Sequence, residues 1–353
     1  MNDNLLDAIA LTIPIFQAPM AGVSTPAMAG AVSQAGGLGA LGLGAATAEA
    51  AAQAIRATQA LTSRPFNANF FCHRPAASDR DVERRWIERA APLFTRFGAE
   101  PPVALDEIYT SFRADDAMLA VLLETRPTVA SFHFGLPRPD QLAALRHAGI
   151  RLVASATSLA EARQIEQAGF DAVVAQGWEA GGHRSIFDTD TDDERLDTEA
   201  LTRLLARQTR LPVIAAGGLM DGRDAARALS WGALAVQMGT AFIGCPESAA
   251  DTAYRTRLTE GGDTTMTCVI SGRPARCLSN PFTEWGRDIP SSAIPAYPFA
   301  YALGKALNAA AKAAGETGYG AQWSGTGARR ARAMPAAELM ARLAAEMGGR
   351  QTG

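Results

Sequence analysis

Short apolar runs alternate with alanine-rich amphipathic segments up to about residue 240. Strands buried on both faces give continuous apolar runs, whereas crossover helices carry an apolar position every three or four residues. The alternation therefore predicts an α/β fold on a parallel sheet. Eight strands are predicted, at residues 13–18, 38–41, 66–71, 128–132, 151–155, 172–175, 213–215 and 233–237.

Seven helices are predicted between these strands, and most begin at Pro, Ser, Thr or Asp, which favour helix N-termini. They cover residues 26–35, 47–61, 115–125, 138–147, 158–168, 196–208 and 221–231. Eight strands in this rhythm favour a closed (β/α)8 TIM barrel over an open sheet.

Two segments depart from this rhythm. Residues 74–114 are richer in Arg, Asp and Glu, contain another predicted helix at 81–96, and are interpreted as an insertion after strand 3 that covers one mouth of the barrel. From 246 to 353 the strand pattern stops and prolines recur, which predicts a mostly helical cap packed on the barrel of residues 1–245. A separate small domain is the alternative.

Charge and cysteine content narrow the classes of function. The net charge is -3 and the Lys and Arg residues are scattered, so neither nucleic acid nor an anionic membrane is expected as a partner. The four cysteines form no CxxC pair, which argues against a metal site or a disulfide framework. Without a signal peptide or an apolar stretch of membrane-spanning length, we expect a cytoplasmic protein, monomeric or homodimeric.

The glycine-rich run at residues 37–42 matches the GxGxxG pattern of dinucleotide-binding folds. That pattern requires a preceding strand, a helix opening within it and an acidic residue about 20 positions later. Here a predicted helix precedes the glycines, the strand falls inside them, and Glu49 comes too early. The run is therefore interpreted as a turn from helix to strand.

Two consecutive loops with glycine follow the last two predicted strands. Gly217 and Gly218 end one strand, and Gly239 and Thr240 end the next at the start of a predicted helix. Backbone amides that glycine leaves uncovered bind anions, and barrel enzymes commonly place a phosphate at these two loops. The alternative is that these glycines only shape turns.

Polar side chains also gather where other predicted strands end. Gln17, Asn67 and Asn69 offer amides that suit a uracil-like or flavin ring, although amides satisfied inside the core are the alternative. His183 follows strand 6 beside two glycines, and His133 ends strand 4. Because barrel chemistry occurs at this face, His183 is a candidate catalytic residue, although a lone histidine is more often structural.

Tyr297, Tyr301 and Lys305 lie four positions apart. This spacing predicts one helix face that presents two phenols and an ammonium group together. An amphipathic surface helix explains the spacing equally well.

Five segments carry a family resemblance: QAPMAGVSTPAMAGAVSQAGGLGALG, FNANFF, VAQGWEAGGHRS, PVIAAGGLMDGRDAARALSWGALAVQMGTAF and SGRPAR. Together they resemble the nitronate monooxygenases, formerly called 2-nitropropane dioxygenases. The bacterial class I branch is also similar at the following positions: Tyr109, His133, Tyr297, Tyr301 and Lys305. The resemblance implies a (β/α)8 barrel with an added domain.

The resemblance also implies non-covalent FMN and a role for each matching position. Along the isoalloxazine it places Gln17, Ala18, Pro19 and Met20. At the polar edge or ribityl chain it places Asn69 and Gln176. At the phosphate end it places Gly181, Gly218, Gln237, Met238, Gly239 and Thr240. His183 would stand over the reactive face.

The implied reaction is oxidation of an alkyl nitronate, such as propionate 3-nitronate, by flavin and O₂ to a carbonyl compound and nitrite. The anion needs hydrogen-bond donors, and the resemblance assigns this role to the following residues: His183, His133, Tyr109, Tyr301 and Lys305. If neutral nitroalkanes are also accepted, His183 is the candidate base.

Three other functions are alternatives. A flavin-dependent enoyl-[acyl-carrier-protein] reductase shares the glycine-rich segments and would require reduction by NAD(P)H. An IMP dehydrogenase-like barrel is disfavoured, because no cysteine lies in a glycine-rich loop between strands. A flavin-binding protein without turnover would leave its flavin unreduced by nitronate.

Overall fold

The computed structural model describes residues 5–75 and 77–348. Its strands are β1 Ile15–Gln17, β2 Gly39–Gly42, β3 Phe66–Phe71, β4 Val129–His133, β5 Arg151–Ala156, β6 Ala172–Gln176, β7 Gly182–His183, β8 Val213–Ala216, β9 Ala235–Met238, β10 Thr264–Thr267 and β11 Ala275–Leu278.

Eight of these strands form a parallel barrel. Their order is β1-β9-β8-β6-β5-β4-β3-β2, and each neighbouring pair is parallel. The ring closes between β1 and β2 through a parallel bridge that joins Phe16 and Leu38. The TIM-barrel prediction and all eight predicted strands are therefore confirmed.

The helices are α1 Leu5–Ala8, α2 Pro26–Gln34, α3 Ala48–Leu61, α4 Arg80–Arg96, α5 Asp116–Thr125, α6 Pro139–His147, α7 Leu159–Gln167, α8 Thr198–Gln208, α9 Gly222–Ser230, α10 Thr240–Ile243, α11 Thr252–Thr259, α12 Pro281–Trp285, α13 Phe299–Ala313 and α14 Ala336–Met347. None of the helices within residues 5–75 and 77–348 combines the length and apolar content needed to cross a membrane.

The turn at residues 37–42 connects α2 to β2, as predicted. A Cβ at Gly39 would lie 1.9 Å from the carbonyl oxygen of Ala29. Glycine is required because helix and strand cross at this distance, and the dinucleotide interpretation remains rejected.

The insertion and the C-terminal region pack on each other. Trp86 and Phe94 of α4 share a buried cluster with Leu303 and Leu307 of α13. At the end of the chain, α14 packs against α2 and α9 and joins the outer ring of barrel helices.

The C-terminal region also contains strands that the sequence did not predict. β10 pairs antiparallel with β11, and β11 pairs antiparallel with β7. The expectation of loops and helices alone was wrong here. β10 reads TTMT with every residue half-buried, and β7 has only two residues, so neither shows an apolar run.

Candidate active site

A cavity of about 710 Å³ opens at the C-terminal ends of the barrel strands. Every barrel strand contributes a residue at or next to its end: Ala18, Gly42, Phe71, His133, Ser155, Gln176, Ala216 and Gly239. The insertion adds Tyr109, β7 adds His183, and the C-terminal region adds Tyr301, Lys305 and Trp323. Segments far apart in sequence thus meet at the face where barrel enzymes carry their sites.

His183 is fixed at both its backbone and its side chain. β7 pairs with β11 so that His183 lies opposite Ala275. The carbonyl oxygen of His183 accepts a hydrogen bond from Nε2 of Gln176 at 2.9 Å, and Nε2 of His133 lies 3.2 Å from the same oxygen. The Nε2 atom of His183 lies 2.8 Å from Oγ of Ser271. The imidazole is therefore held in one orientation at the cavity.

Both histidines of the cavity are neutral at pH 7. Burial, to which Arg273 adds its positive charge, lowers the pKa of His183 well below its usual value. Burial lowers the pKa of His133 to about 4. The Arg273 guanidinium is itself buried, 4.3 Å from the centre of the Phe134 ring. Neither imidazole is therefore a cation that could pair with an anionic ligand.

A lysine supplies positive charge to the cavity instead. Lys305 Nζ donates a hydrogen bond to the Tyr109 hydroxyl at 2.9 Å and lies 5.1 Å from the centre of that ring. The Tyr301 ring lies 5.7 Å from the Tyr109 ring and 6.0 Å from the His183 ring. No carboxylate of the described residues pairs with Lys305. This side of the cavity is therefore suited to a small anion.

Glycines form another part of the lining. Gly217 and Gly218 have φ values of +130° and +67°, and a Cβ at Gly181 would lie 2.5 Å from the backbone nitrogen of Gly325. In the described part of the chain, the backbone N–H groups of Gly218 and Leu219 donate no hydrogen bond. A backbone without side chains and with free N–H groups can approach a phosphate closely.

Three of the amide side chains that line the cavity differ in their hydrogen-bond partners. Asn69 donates to Ser131 Oγ at 2.9 Å, and its own oxygen has no partner in the part of the chain that the structure describes. The Gln237 amide makes no hydrogen bond with any residue that the structure describes. Gln176 uses both ends, because it also accepts from the backbone nitrogen of Ser185 at 2.8 Å. Asn69 and Gln237 can thus bind a ligand, whereas Gln176 orients the loop that carries His183.

Most of the predicted site residues line the cavity: Ala18, Pro19, Met20, Asn69, Tyr109, His133, Gln176, Gly181, His183, Gly217, Gly218, Gln237, Gly239, Thr240, Tyr301 and Lys305. Three lie outside it. Gln17 is buried and accepts from the Ala40 backbone nitrogen at 2.8 Å, and Met238 lies in a hydrophobic cluster. The Tyr297 hydroxyl is buried and has no hydrogen-bond partner among the described residues.

The prediction that Tyr297 shares a helix face with Tyr301 and Lys305 is wrong. Helix α13 begins at Phe299, and Pro298 disfavours helical backbone at the residue before it. The Tyr297 ring instead packs edge-on to the ring of His183, at 5.6 Å. Tyr297 therefore supports His183 from outside the cavity.

Sequence reasoning missed two neighbours of His183. Ser271 and Arg273 belong to the SGRPAR segment, which carried the family resemblance but no assigned role. Ser271 is fully buried, and its contact with His183 spans 88 positions. Trp323, whose ring lies 4.8 Å from that of His183, lines the cavity, whereas Trp178 does not. No local pattern signals contacts at such separation.

The chain is similar to a known protein family. The family model described as nitronate monooxygenase matches residues 2–346. The chain belongs to the nitronate monooxygenase family. A relative named nitronate monooxygenase from Paraburkholderia phytofirmans is 59% identical over 97% of this chain and 94% of its own length. One of the same name from Pseudomonas aeruginosa is 50% identical over 99% of this chain and all of its own length.

Solved structures of family-like barrels are also similar. Nitroalkane oxidase from Streptomyces ansochromogenes superposes with a TM-score of 0.90 at 38% identity and covers 98% of both chains. FabK from Thermotoga maritima superposes with a TM-score of 0.73 at 28% identity, over 99% of this chain and 97% of its own. Both the TM-score and the sequence identity are thus higher for the nitroalkane oxidase.

Proposed function

We propose that the protein oxidises alkyl nitronates with FMN and O₂ to a carbonyl compound and nitrite. The observation that carries the proposal is the convergence on one cavity of His183, Tyr109, Tyr301 and Lys305 with a glycine-lined surface bearing free backbone N–H groups. The first set suits a small anion, and the second suits a phosphate. Relatives that are named nitronate monooxygenase support the choice of substrate.

The residues present fit an FMN. Ligand cavities typically measure about 300–1,000 Å³, and this one measures about 710 Å³. A flavin ring needs partners that donate and accept at its polar edge, and the open groups of Asn69 and Gln237 offer both. A terminal phosphate needs N–H donors without side-chain obstruction, which Gly218 provides. Nitronate monooxygenases and FabK-type reductases are flavin-dependent, which supports the same group here.

We assign the cofactor contacts by the place of each residue in the lining. The residues expected along the ring are Ala18, Pro19 and Met20, those at its polar edge are Asn69 and Gln237, and those at the phosphate are Gly181, Gly217, Gly218, Gly239 and Thr240. When bound, FMN accepts electrons from the nitronate, and O₂ is the co-reactant.

Nitronate binding depends on charge and on donors already in place. Lys305 brings a positive charge that no described carboxylate neutralises, and its contact with Tyr109 holds both groups on one side of the cavity. Tyr301, in the same helix, adds a phenol whose pKa burial raises, so it stays protonated and able to donate. Hydrogen bonds from charged groups to an anion are roughly twice as strong as neutral ones.

A test compares two histidine variants of the FMN-bound protein. With propionate 3-nitronate as substrate, O₂ uptake and nitrite release are both expected. His183→Phe should lower kcat/KM at least about a hundredfold, since it removes a polar group from the reacting site. His147→Phe, in the last turn of α6 and outside the cavity lining, is the matched control and should change little. A flavin-loaded protein that releases no nitrite would contradict the proposal.

The second candidate is an NAD(P)H-dependent enoyl reductase, favoured by the 28% identity with FabK from Thermotoga maritima. An acyl chain would need an apolar lining, whereas Lys305, Tyr109 and Tyr301 bring charge and hydroxyls to this cavity. Flavin reduction by NAD(P)H separates the two functions.

A further inference from the structure

Residues 325–330, here called the C-terminal segment, contact the loops that follow β6 and β9. The backbone N–H of Gly325 donates to Oγ1 of Thr240 at 3.0 Å, and that of Thr326 donates to the carbonyl oxygen of Glu179 at 3.0 Å. Each of these loops carries a residue assigned to the phosphate of FMN. The C-terminal region therefore reaches the phosphate surface through contacts of its backbone.

The loop after β8 is fixed by two side chains that lie outside the cavity lining. Nη2 of Arg330 donates to the carbonyl oxygen of Gly218 at 2.9 Å. The Asp224 carboxylate accepts from the backbone N–H of Met220 at 2.8 Å, and Nη1 of Arg330 pairs with that carboxylate at 2.7 Å. Between these contacts, the backbone N–H groups of Gly218 and Leu219 donate to no residue that the structure describes.

The contact with Arg330 decides the direction of one of these free N–H groups. The peptide bond between Gly218 and Leu219 is trans, so its C=O and its N–H point in opposite directions. Because the oxygen points at Arg330, the Leu219 N–H points away from it. Gly218 and Leu219 line the cavity and Arg330 does not, so this N–H is directed toward the cavity.

Gly327 adds a further N–H group to the same place. It lines the cavity, and its backbone N–H donates no hydrogen bond within the described ranges. A Cβ there would overlap Cγ of Met220 and lie 3.2 Å from the carbonyl oxygen of Gly218, so only glycine lets the segment pack this closely. Uncovered N–H groups that converge from neighbouring turns bind phosphate oxygens.

We infer that the C-terminal segment completes the phosphate site of the flavin: Gly327 supplies a donor, and Arg330 is a positioning residue that keeps the Leu219 N–H directed at the phosphate. Arg330 acts through the peptide and not by contact with the ligand. The inference rests on the FMN site of the proposed function, but not on the oxidation of nitronates. Arg330 should therefore contribute to recognition of the phosphate and not of the flavin ring.

The affinities of two flavins test this role. The full-length protein, freed of flavin, is titrated with FMN and with riboflavin, which has the same ring and ribityl chain but no phosphate, and flavin fluorescence is recorded. Arg330→Met should raise the Kd for FMN at least about tenfold, because a hydrogen bond to a charged group loses its orientation. The Kd for riboflavin should change less than about twofold. An unchanged Kd for FMN, or equal losses for the two flavins, overturns the inference.

The matched control is Arg227→Met. Arg227, in α9, donates to the same Asp224 carboxylate as Arg330, but none of its hydrogen bonds in the described structure reaches Gly218. Its loss also takes one cation from Asp224, and the Kd for FMN should rise less than about threefold. An effect as large as that of Arg330→Met would assign the loss to Asp224 and not to the Gly218 carbonyl, and would overturn the inference.

Amide hydrogen exchange of the unmodified protein gives a second readout that does not depend on the folding of a variant. FMN should protect residues 217–220 and 325–330 more strongly than riboflavin does. Helix α7, of which no residue lines the cavity, should exchange alike with both flavins. Equal protection of the two segments by both flavins overturns the inference. A protein that shows the expected difference but releases no nitrite from propionate 3-nitronate contradicts the proposed function alone.

Discussion

Lys305 donates its hydrogen bond to the Tyr109 hydroxyl at 2.9 Å, and this contact joins α13 to the insertion at the cavity. The lysine has no carboxylate partner among the described residues. Lys312, further along α13, also lines the cavity but pairs with Asp251 at 2.6 Å. The two lysines of one helix therefore differ in the charge that they offer to a ligand.

Replacing each of these lysines by methionine should change KM by different amounts. Lys305→Met removes an uncompensated charge, and we expect at least about a tenfold rise in KM for propionate 3-nitronate, the loss of one hydrogen bond to a charged group. Lys312→Met removes a charge that Asp251 already neutralises, so a rise below about threefold is expected. Steady-state O₂ uptake measures both. Equal effects of the two variants would contradict the assignment of Lys305.

Tyr297 and Tyr301 should also behave differently. Tyr297 does not line the cavity, and its buried hydroxyl has no partner within the described ranges, so Tyr297→Phe removes only an unsatisfied group. We expect KM within about twofold of the unmodified protein and an equal or higher free energy of unfolding. Tyr301→Phe should raise KM. A large rise in KM for Tyr297→Phe would show that its hydroxyl reaches the substrate.

The role of the glycine loop after β8 can be tested by measuring the affinity of the protein for FMN. Gly218 has φ +67°, and a Cβ there would lie 3.1 Å from Cβ of Glu179. Gly218→Ala should raise the Kd for FMN at least about tenfold, because the loop must move to relieve a strain of about 1–3 kcal/mol. Gly149→Ala is the control, since Gly149 has φ +78° but nothing within 4 Å of its Cβ. It should lower stability and leave FMN affinity unchanged. Equal flavin content of the two variants would argue against a phosphate at this loop.

The buried histidines predict how stability depends on pH. Burial lowers the pKa of His73 and of His133 to about 4, and that of His183 well below its usual value. In the unfolded chain each pKa is about 6.5. Below pH 6.5 the unfolded chain therefore binds more protons than the folded chain. The free energy of unfolding decreases as the pH is lowered from 6.5 to about 4, and above pH 6.5 these histidines do not change it.

Urea midpoints at pH 7.5, 6.0 and 5.0 measure this loss. His73→Phe should reduce it by about a third, since one of three such histidines is removed. Midpoints that do not change between pH 7.5 and 5.0 would mean that these rings are not buried in the folded protein as the structure has them.

The barrel could be predicted from the sequence because its information is local. Nearly all residues of the barrel strands are buried and most of them are apolar, and residues 66–71 were placed at the bounds of β3 itself. β7 has only two residues, which pair with β11, and β10 reads TTMT with every residue half-buried, so neither strand has such a signature.

For the site, too, only residues with a local sequence signal could be predicted. Gly218, His133 and His183 were found because they stand at strand ends, where barrel chemistry occurs. Gln17 also stands at a strand end, yet its amide is used by the backbone of Ala40. Ser271 could not be found, because its contact with His183 depends on the packing of the C-terminal region on the barrel.

The central claim is that the protein binds FMN in this cavity and oxidises nitronates there. The most direct test is the absorbance spectrum of the purified protein under anaerobic conditions, recorded after separate additions of propionate 3-nitronate and of NAD(P)H. We expect a yellow protein whose flavin is bleached by the nitronate and left oxidised by NAD(P)H. Rapid bleaching by NAD(P)H alone would contradict the account in favour of a reductase, and a colourless protein that cannot be reconstituted with FMN would contradict both functions.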